Sequence, residues 1–438
     1  MYIETYGCQM NVADAERAST LLRAAGYSVT RSLEGADVVL LNSCSVRARA
    51  EQRALNRLSQ IYYADKRPRV LGIMGCVAQL EGEALFDRSP YLNLVVGTGA
   101  TDRLPVLITE AGEGAQQVVD RGERADDASQ YIARNDRHSP HVAFVPIIEG
   151  CNKFCTYCIV PYSRGRERSR PPAEIIGEVT RLISQGYREV HFIGQNVNSY
   201  RPKTEAGLER FRGATPFSRL LRAVAATSMP RIKFTTSFPR DFHPDIVSAM
   251  DENENLCNWI HLPVQSGSDR VLKAMRRGYS VDGYLRCINN IKNARRKYAL
   301  TTDIIVGFPG ETVEDFDKTL ELVLKCQYDS LYAFKYSERR GTPAAKLEDD
   351  VDEAEKSERF IALENVQSGI QRRILENYLG QDLPVLVEGV SARSADDLTG
   401  HSACNKVVNF PGAENLIGQI VNVRITATKS HSLYGTLV

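Results

Sequence analysis

Residues 141–170 read HVAFVPIIEGCNKFCTYCIVPYSRGRERSR, and this stretch holds the signals that decide the fold. It opens with an apolar, strand-like run and passes at once into three closely spaced cysteines, Cys151, Cys155 and Cys158. Three thiolates this close together can hold three irons of a 4Fe–4S cluster and leave the fourth iron without a protein ligand. The open iron is then available to bind a substrate.

An open iron of this kind suits S-adenosylmethionine (SAM), which can chelate it through its amino and carboxylate groups and be cleaved reductively. The alternatives for the three cysteines are a zinc site and three unrelated thiols. Zinc in proteins normally takes four ligands, and no nearby Cys or His completes such a set at a plausible spacing. The spacing therefore favours the cluster.

The apolar run before the cysteines is the first of six strand-like segments separated by helical patterns. The other five are REVHFIG, RIKFTTS, LCNWIHLP, LTTDIIVG and DSLYAFKYS. Six βα repeats in about 200 residues predict an open (β/α)6 barrel whose functional site lies at the C-terminal ends of its strands. The cysteines follow the first strand directly and belong to that end.

Four later strand ends carry residues suited to binding a ligand. Gln195 offers a side-chain amide, and Ser237 and Gln265 end the next two strands with polar side chains. Gly307 follows the DIIV run, where the missing side chain permits close approach to the backbone. Each of them alone could be a strand-end turn. Their repetition at successive ends of one barrel favours a shared site.

Three further cysteines, Cys8, Cys44 and Cys76, are far apart in the sequence, but each ends an apolar strand. The helical patterns between these strands predict a doubly wound parallel sheet, in which the carboxyl ends of the strands meet at one edge. Free cysteines are common in cores, and that is the alternative for any one of them. Three at equivalent positions favour a shared metal site.

The chain is predicted to contain three domains and a linker, as an α/β protein with a small all-β tail. Residues 1–112 form the N-terminal domain, 113–140 a polar linker, 141–375 the barrel domain and 376–438 a small β-barrel. The remaining cysteines have no assigned role: Cys257, Cys287 and Cys326 fall in strand or helix patterns typical of a core, and Cys404 lies in a polar loop.

Composition and hydropathy argue against a membrane-spanning protein and against a secreted one. The 438-residue chain is 43% hydrophobic and 25% charged, as in an ordinary globular protein. No apolar run reaches the roughly 18 residues of a membrane span, and the opening MYIETYG lacks the features of a secretion signal. We therefore expect a cytoplasmic protein that does not contact a membrane. We also expect a monomer. A net charge of +1 does not by itself indicate a nucleic-acid partner.

Several segments resemble the radical SAM methylthiotransferase family. They are the run IEGCNKFCTYC, GQNVNSY at 194–200, HLPVQSGSDRVLKAMRR at 261–277, DIIVGFPGET at 303–312, and the words YGCQMN, NSCSVR and MGCVAQ around the first three cysteines. The tail, with GHSACNKVVNFPG, resembles a TRAM domain, a small barrel associated with RNA-modifying enzymes. The resemblance covers essentially the whole chain.

The resemblance implies two 4Fe–4S clusters, one on Cys151, Cys155 and Cys158 and an auxiliary one on Cys8, Cys44 and Cys76. It implies SAM both as methyl donor and as radical source. It also implies SAM contacts from a set of residues on the barrel: Phe154, Tyr157, Arg168, Gln195, Ser237, Gln265 and Gly307. Arginine forks suit the SAM carboxylate. No catalytic residue beyond the cluster ligands is assigned.

The family has branches that act on an isopentenylated adenosine next to the tRNA anticodon, on a threonylcarbamoylated adenosine there, or on an aspartate of a ribosomal protein. The words YGCQMN, GQNVNSY and KVVNF resemble the first branch. This implies 2-methylthiolation of N6-isopentenyladenosine, with the tRNA anticodon loop, a flavodoxin or ferredoxin as electron donor, and a sulfur donor as partners. The alternative from another class is a non-catalytic iron–sulfur RNA-binding protein.

Overall fold

The computed structural model describes residues 1–46, 48–114, 117–124 and 131–438. Contacts between these residues separate two units. Unit 1 comprises residues 1–139, 149–152 and 158–167, and unit 2 comprises residues 140–148, 153–157 and 168–438. No helix of the described residues is both long enough and apolar enough to cross a bilayer.

Unit 1 is built around a parallel sheet whose five strands lie side by side in chain order. The second and third strands are buried along their whole length, as strands covered on both faces must be. The strands are β1 (Tyr2–Tyr6), β2 (Val38–Ser43), β3 (Val70–Gly75), β4 (Leu94–Val96) and β5 (Val118–Asp120).

Helices cover both faces of this sheet, which confirms the predicted doubly wound class. On one face the core contains residues of α1 (Gln9–Ala24) and α5 (Leu104–Glu113). On the other face it contains residues of α2 (Ala48–Tyr62), α3 (Cys76–Glu81) and α4 (Ala84–Arg88). A sixth short helix, α6 (Val160–Arg164), also belongs to unit 1.

Strand β5 lies within the polar segment 113–140 for which the sequence predicts a linker. It pairs with β4 in parallel, and Asp120 is held by the guanidinium of Arg103. A strand of three residues is stabilised by its neighbour rather than by its own sequence pattern, so composition alone does not indicate it. Residues 115–116 and 125–130 of that segment lie outside the described residues.

Unit 2 contains six parallel strands in chain order, which form two hydrogen-bonded groups of three. A parallel bridge between Ile232 and Leu256 joins the groups. This is the predicted open (β/α)6 barrel. Its strands are β6 (Val142–Pro146), β9 (Glu189–Ile193), β10 (Arg231–Phe234), β11 (Trp259–His261), β12 (Ala299–Val306) and β13 (Ser330–Lys335). Two further strands have two residues each: β7 (Ile148–Glu149), of which Glu149 is grouped with unit 1, and β8 (Arg168–Ser169).

The outer helices of the barrel pack their apolar faces on the strands and form the main core of unit 2. Their amphipathic patterns and capping residues, such as Thr312 at the start of α12, account for their positions. The helices are α7 (Pro172–Ser184), α8 (Pro216–Ala225), α9 (Pro244–Glu252), α10 (Asp269–Ala274), α11 (Val281–Lys292), α12 (Val313–Cys326) and α13 (Glu353–Glu376).

The C-terminal residues form a closed five-stranded barrel, as the sequence predicts. Alternate residues of each strand point into a core of its own, which includes Val385, Phe410 and Leu433. The strands are β14 (Asp382–Val390), β15 (Asp397–Ser402), β16 (Val407–Pro411), β17 (Ile420–Thr428) and β18 (Ser432–Leu437).

Residues 401–406, which are the last two residues of β15 and the turn that leads to β16, contact the N-terminal ends of strands of the large barrel; we call this segment the floor loop. Arg231, the first residue of β10, donates through Nη1 to the carbonyl of His401 (2.8 Å) and through Nη2 to that of Ser402 (2.7 Å). Cys404 is buried against Trp259, the first residue of β11. The polar loop predicted around Cys404 therefore packs against the large barrel.

Candidate functional site

Cys8, Cys44 and Cys76 lie at the carboxyl edge of three neighbouring strands in unit 1. Cys8 caps the start of α1 just after β1, Cys44 follows β2 directly, and Cys76 follows β3 as the first residue of α3. Because β1, β2 and β3 pair in parallel and in this order, their ends meet at one edge of the sheet. The structure thus brings together three cysteines that are far apart in sequence.

The electrostatics of these thiols show that they interact with one another. A hydrogen bond with Cys44 lowers the pKa of Cys8 to about 6, and the Arg164 guanidinium assists. The same hydrogen bond, together with burial, raises the pKa of Cys44. Burial raises the pKa of Cys76, which Arg164 opposes. Of the three thiols, Cys8 therefore ionises most readily, and the buried guanidinium of Arg164 favours its thiolate.

Two buried asparagines, which the sequence analysis did not single out, hold this edge in shape. The Asn11 side chain donates to Oδ1 of Asn42 (3.0 Å), and the Asn42 side chain donates to the Asn11 carbonyl (2.8 Å). The Cys8 thiol donates to Oδ1 of Asn11 (3.3 Å). Gly75 has φ +95°, and a Cβ there would lie 2.3 Å from Oδ1 of Asn42. The positions beside the cysteines are therefore tightly packed, and Gly75 has no room for a side chain.

Among the described residues, no three or more His, Cys, Asp or Glu side chains are grouped as ligands of a single metal ion would be. A four-iron cluster binds each thiolate through a different iron, so its ligands stand apart. Three adjacent thiols, with Arg164 offsetting their charge, are a donor set that fits such a cluster.

Cys151, Cys155 and Cys158 lie in one loop between β7 and α6. Cys151 and Cys155 are buried and Cys158 is half-buried. Contacts group Cys151 and Cys158 with unit 1 and Cys155 with unit 2. In unit 1 the Cys151 amide donates to the Gly165 carbonyl (3.1 Å), which closes the loop on itself.

In unit 2, residues 153–157 of this loop are held by side chains of the barrel. The Lys153 ammonium contacts Asp241 (2.5 Å), and the Thr156 hydroxyl donates to the Ala274 carbonyl (2.9 Å). Nη1 of Arg277 lies 3.5 Å from the Cys155 sulfur. The part of the loop that carries Cys155 is therefore fixed from several directions.

The predicted strand-end residues form one rim of the barrel. The Ser237 amide donates to the carbonyl of His261, the last residue of β11 (3.1 Å), and the Gln265 amide donates to the Asp303 carbonyl of β12 (2.9 Å). Gln195 follows β9 by two residues, and Gly307 follows β12 directly with φ +69°. Neighbouring strands thus present these four positions at the same end.

Strain and an unpaired polar atom mark this rim. The non-glycine residues Phe154, Thr236 and Gln265 have φ of +48°, +67° and +78°, in the left-handed region that side chains disfavour. Such residues concentrate at binding sites. Ser237 is 1% exposed, and its buried hydroxyl has no hydrogen-bond partner among the described residues. A buried hydroxyl of this kind fits a polar ligand such as SAM.

The arginines after the cysteine loop divide into two kinds. Arg164 is buried and its guanidinium lies 2.7 Å from Asp14 and 3.3 Å from Glu149, all in unit 1. In unit 2, Arg170 pairs with Glu178 (2.9 Å). These two are structural ion pairs, whereas Arg168, the one assigned to SAM, is exposed.

Three family models match the chain. The Radical SAM superfamily matches residues 145–323, Uncharacterized protein family UPF0004 matches residues 1–97, and the TRAM domain matches residues 376–438. The first covers the open barrel from β6 into α12, the second covers the sheet edge with Cys8, Cys44 and Cys76, and the third covers the closed C-terminal barrel.

Two groups of solved structures share the fold. The radical S-adenosylmethionine methyltransferase TsrM from Kitasatospora setae has a TM-score of 0.55 at 13% identity, over 78% of this chain and 76% of that chain. The cobalamin-dependent S-adenosylmethionine radical enzyme OxsB has a TM-score of 0.50 at 11% identity, over 85% of this chain and 56% of that chain. At such identities the likeness is one of fold alone.

Curated relatives are similar over the whole length. A tRNA-2-methylthio-N(6)-dimethylallyladenosine synthase of Solibacter usitatus is 44% identical over 440 residues, which are 99% of this chain and 97% of that protein. The protein of that name from Bacillus subtilis is 42% identical over 441 residues, 100% of this chain and 85% of that protein. The chain therefore belongs to the radical SAM enzymes of the tRNA-2-methylthio-N(6)-dimethylallyladenosine synthase family.

Proposed function

We propose that this protein converts N6-isopentenyladenosine next to the anticodon of tRNA into its 2-methylthio derivative, as a sulfur- and methyl-transferring enzyme. The observation that carries the proposal is the meeting of Cys8, Cys44 and Cys76 at one sheet edge, in a chain that also has the Cys151 loop. An enzyme that only generates a radical needs a single cluster. A second set of three thiols supports sulfur insertion as well.

Cys151, Cys155 and Cys158 would hold the cluster that cleaves SAM, and Cys8, Cys44 and Cys76 would hold the auxiliary one. When bound, these groups supply the reductive cleavage of SAM, the removal of hydrogen from an unactivated C–H bond, and the sulfur to be inserted. With three protein ligands each, the two clusters would keep one iron open, for SAM at the Cys151 loop and for sulfur at the unit 1 edge.

The role of the protein's own residues is to bind SAM and to orient it. The Ser237 hydroxyl, buried and unpartnered among the described residues, is a donor or acceptor for a polar group of SAM. Gln265 and Gly307, whose left-handed backbones turn the chain at the rim, are further contacts, as are Gln195, Phe154, Tyr157 and Arg168. A rim fixed before binding lowers the entropic cost of holding a reactive ligand in one geometry.

Unit 1 residues prepare the auxiliary site. Arg164, which also pairs with Asp14 and Glu149, places a positive charge beside the buried thiols and favours their ionised form. Asn11, in the first turn of α1, and Asn42, near the end of β2, hold the helix start against the strand end. The chain thus supplies ligands, a compensating charge and a rigid frame.

The C-terminal barrel is the RNA-binding part of the proposal, because small barrels present a strand face to nucleic acid. Single-stranded loops allow a base to be splayed out and recognised, which suits an anticodon-loop substrate. The proposal further includes a flavodoxin- or ferredoxin-type electron donor, a sulfur donor and a monomeric enzyme.

The test is a reaction with the reconstituted, anaerobic protein, SAM, a sulfide source, dithionite and tRNA carrying N6-isopentenyladenosine. We expect 2-methylthio-N6-isopentenyladenosine when the digested tRNA is analysed by mass spectrometry. tRNA with threonylcarbamoyladenosine and the ribosomal-protein substrate are run in parallel. A product only on one of those would move the protein to another branch, and absence of SAM cleavage would favour a non-catalytic iron–sulfur protein.

A further inference from the structure

Arg277 is a buried arginine beside the predicted cluster ligand Cys155. It is 5% exposed, and it follows α10 at a tight chain reversal. The Arg277 amide donates to the Leu272 carbonyl (2.9 Å) and the Arg276 amide to the Lys273 carbonyl (3.0 Å), a Schellman ending. Arg276 takes the left-handed position with φ +55°, where glycine is usual. The reversal leaves Arg276 exposed and turns Arg277 inward.

The guanidinium of Arg277 is held on all sides by uncharged groups. Nε donates to the Tyr279 hydroxyl (2.9 Å), and Nη2 donates to the Pro263 carbonyl (2.9 Å). Nη1 lies 3.3 Å from the Tyr157 hydroxyl and 3.5 Å from the Cys155 sulfur. The ring of Phe238 lies 4.6 Å from the guanidinium carbon.

None of the carboxylates in the described part of the chain forms an ion pair with Arg277. Burying a cation without an anion costs several kcal/mol, so natural proteins pair such charges. Among the described residues that contact the Arg277 guanidinium, the Cys155 thiol is the one that becomes an anion at neutral pH on binding metal. The negative charge that balances Arg277 is therefore expected on the Cys155 thiolate.

We propose that Arg277 is the positioning residue and counter-ion of the iron–sulfur cluster bound through Cys155. It holds the sulfur with an N–H donor and places a fixed positive charge beside the cluster. When one electron from an external reductant enters the cluster, the cluster and its thiolates become more negative by one charge, which Arg277 stabilises. Hydrogen bonds to sulfur and nearby charge set the reduction potential of such clusters. Arg277 thus raises the potential at which SAM cleavage begins.

This inference rests on the proposed function, because it assumes a cluster at Cys151, Cys155 and Cys158. The test is a reductive titration with dithionite of the reconstituted full chain, followed by electron paramagnetic resonance. The signal of this cluster is the one that changes on addition of SAM, and the auxiliary cluster is the internal reference. Wild type, Arg277→Met, Arg277→Lys and the control Arg276→Met are compared.

In Arg277→Met we expect full iron content and a lower midpoint potential for the SAM-responsive cluster. A tenfold change in the one-electron equilibrium, about 59 mV, is the expected size. Arg277→Lys keeps the positive charge but lacks the planar guanidinium, so its midpoint potential should also fall, but by less. The auxiliary cluster and Arg276→Met should titrate as wild type does.

A wild-type midpoint in an iron-loaded Arg277→Met protein would overturn the proposal and leave Arg277 a packing residue. Should Arg277→Met fail to load iron, Arg277→Gln, which keeps an N–H donor and removes the charge, is titrated in its place: a wild-type midpoint in that variant overturns the proposal. A chain with no SAM-responsive signal in the wild type would instead contradict the proposed function.

Discussion

The ammonium of Lys406, in the C-terminal barrel, lies 2.5 Å from Oδ1 of Asp329, the residue immediately before β13 of the large barrel. Both residues are 8% exposed. The other carboxylate oxygen of Asp329 accepts the Leu300 amide (2.8 Å). The pair therefore joins the C-terminal barrel to the start of two strands of the large barrel.

Removing the charge of Lys406 should destabilise unit 2. Lys406→Met leaves the Asp329 carboxylate buried without its cation, which costs about 3 kcal/mol. The measurement is urea unfolding followed by the fluorescence of Trp259, the single tryptophan of the chain, which lies against the floor loop. Lys429→Met, an exposed lysine of the same barrel, should unfold as wild type does. Equal midpoints for both variants would show that the pair does not stabilise the fold.

Replacing Cys151, Cys155 and Cys158 by Ala should remove one of two clusters. We expect the iron bound after anaerobic reconstitution to fall by roughly half, and SAM cleavage to be lost, because each set of thiols holds its own cluster. Iron analysis and 5′-deoxyadenosine detection measure the two effects. A folded variant that lost all its iron would disprove two independent sites.

Replacing Cys8, Cys44 and Cys76 by Ala should separate radical formation from sulfur insertion. This variant retains the Cys151 loop, so we expect it to form 5′-deoxyadenosine under reducing conditions but no methylthio product. Both products are quantified in the same reaction with isopentenylated tRNA. Normal product yield would exclude the auxiliary cluster from the chemistry.

Cys8 should be the reactive thiol of unit 1 in iron-free protein. It is exposed, and its pKa is lowered to about 6 by the hydrogen bond with Cys44. Because the thiolate is the nucleophile, alkylation by iodoacetamide should rise with pH, reach half its maximum near pH 6 and level off above it. Cys44 and Cys76, buried and with raised pKa, should react far more slowly.

Peptide mass spectrometry after timed alkylation gives the rate at each cysteine. Reconstitution with iron and sulfide should protect Cys8, since a bound thiolate is not free to react. Alkylation of Cys8 that rose only near the ordinary cysteine pKa, or that was unaffected by iron loading, would contradict this prediction.

Ser237→Ala should weaken SAM binding. The Ser237 hydroxyl has no partner among the described residues, so a ligand that supplies one gains about 1 kcal/mol, or about fivefold in affinity. Equilibrium binding of SAM to the loaded protein measures the change. Ser184→Ala at the end of α7, whose hydroxyl donates to the Arg181 carbonyl (2.8 Å), is the control. An unchanged Kd would remove Ser237 from the SAM site.

The sequence alone predicts much of this arrangement because parallel strands buried on both faces are continuous apolar runs. Strands β2 and β3 are such runs, and a cysteine directly after each must lie at the sheet's carboxyl edge. The same reasoning locates Ser237 and Gln265 at the rim of the barrel. Residues at strand ends can therefore be assigned to a site before any distance is known.

Other features escape sequence reasoning because they depend on long-range contacts. Arg277 lies 122 residues from Cys155 along the chain, and an arginine at the end of a helix has no pattern that indicates burial. Arg231 and Lys406 resemble surface charges in the sequence, yet each is buried by a segment far away. Strand β5 has three residues, too few for an alternation of apolar and polar side chains to be recognised in the sequence.

The floor loop also limits how far the family's modules can be exchanged. The Radical SAM and TRAM matches end and begin at residues 323 and 376, as if the two parts were separable. Yet the floor loop neutralises Asp329 of the large barrel through Lys406 and accepts the hydrogen bonds of Arg231 through two carbonyls. A C-terminal barrel transplanted from a relative must therefore supply a cation and carbonyls at the same places. Chimeras and C-terminal deletions would thus expose buried charge. A loss of RNA binding in them reports on folding first and on recognition only afterwards.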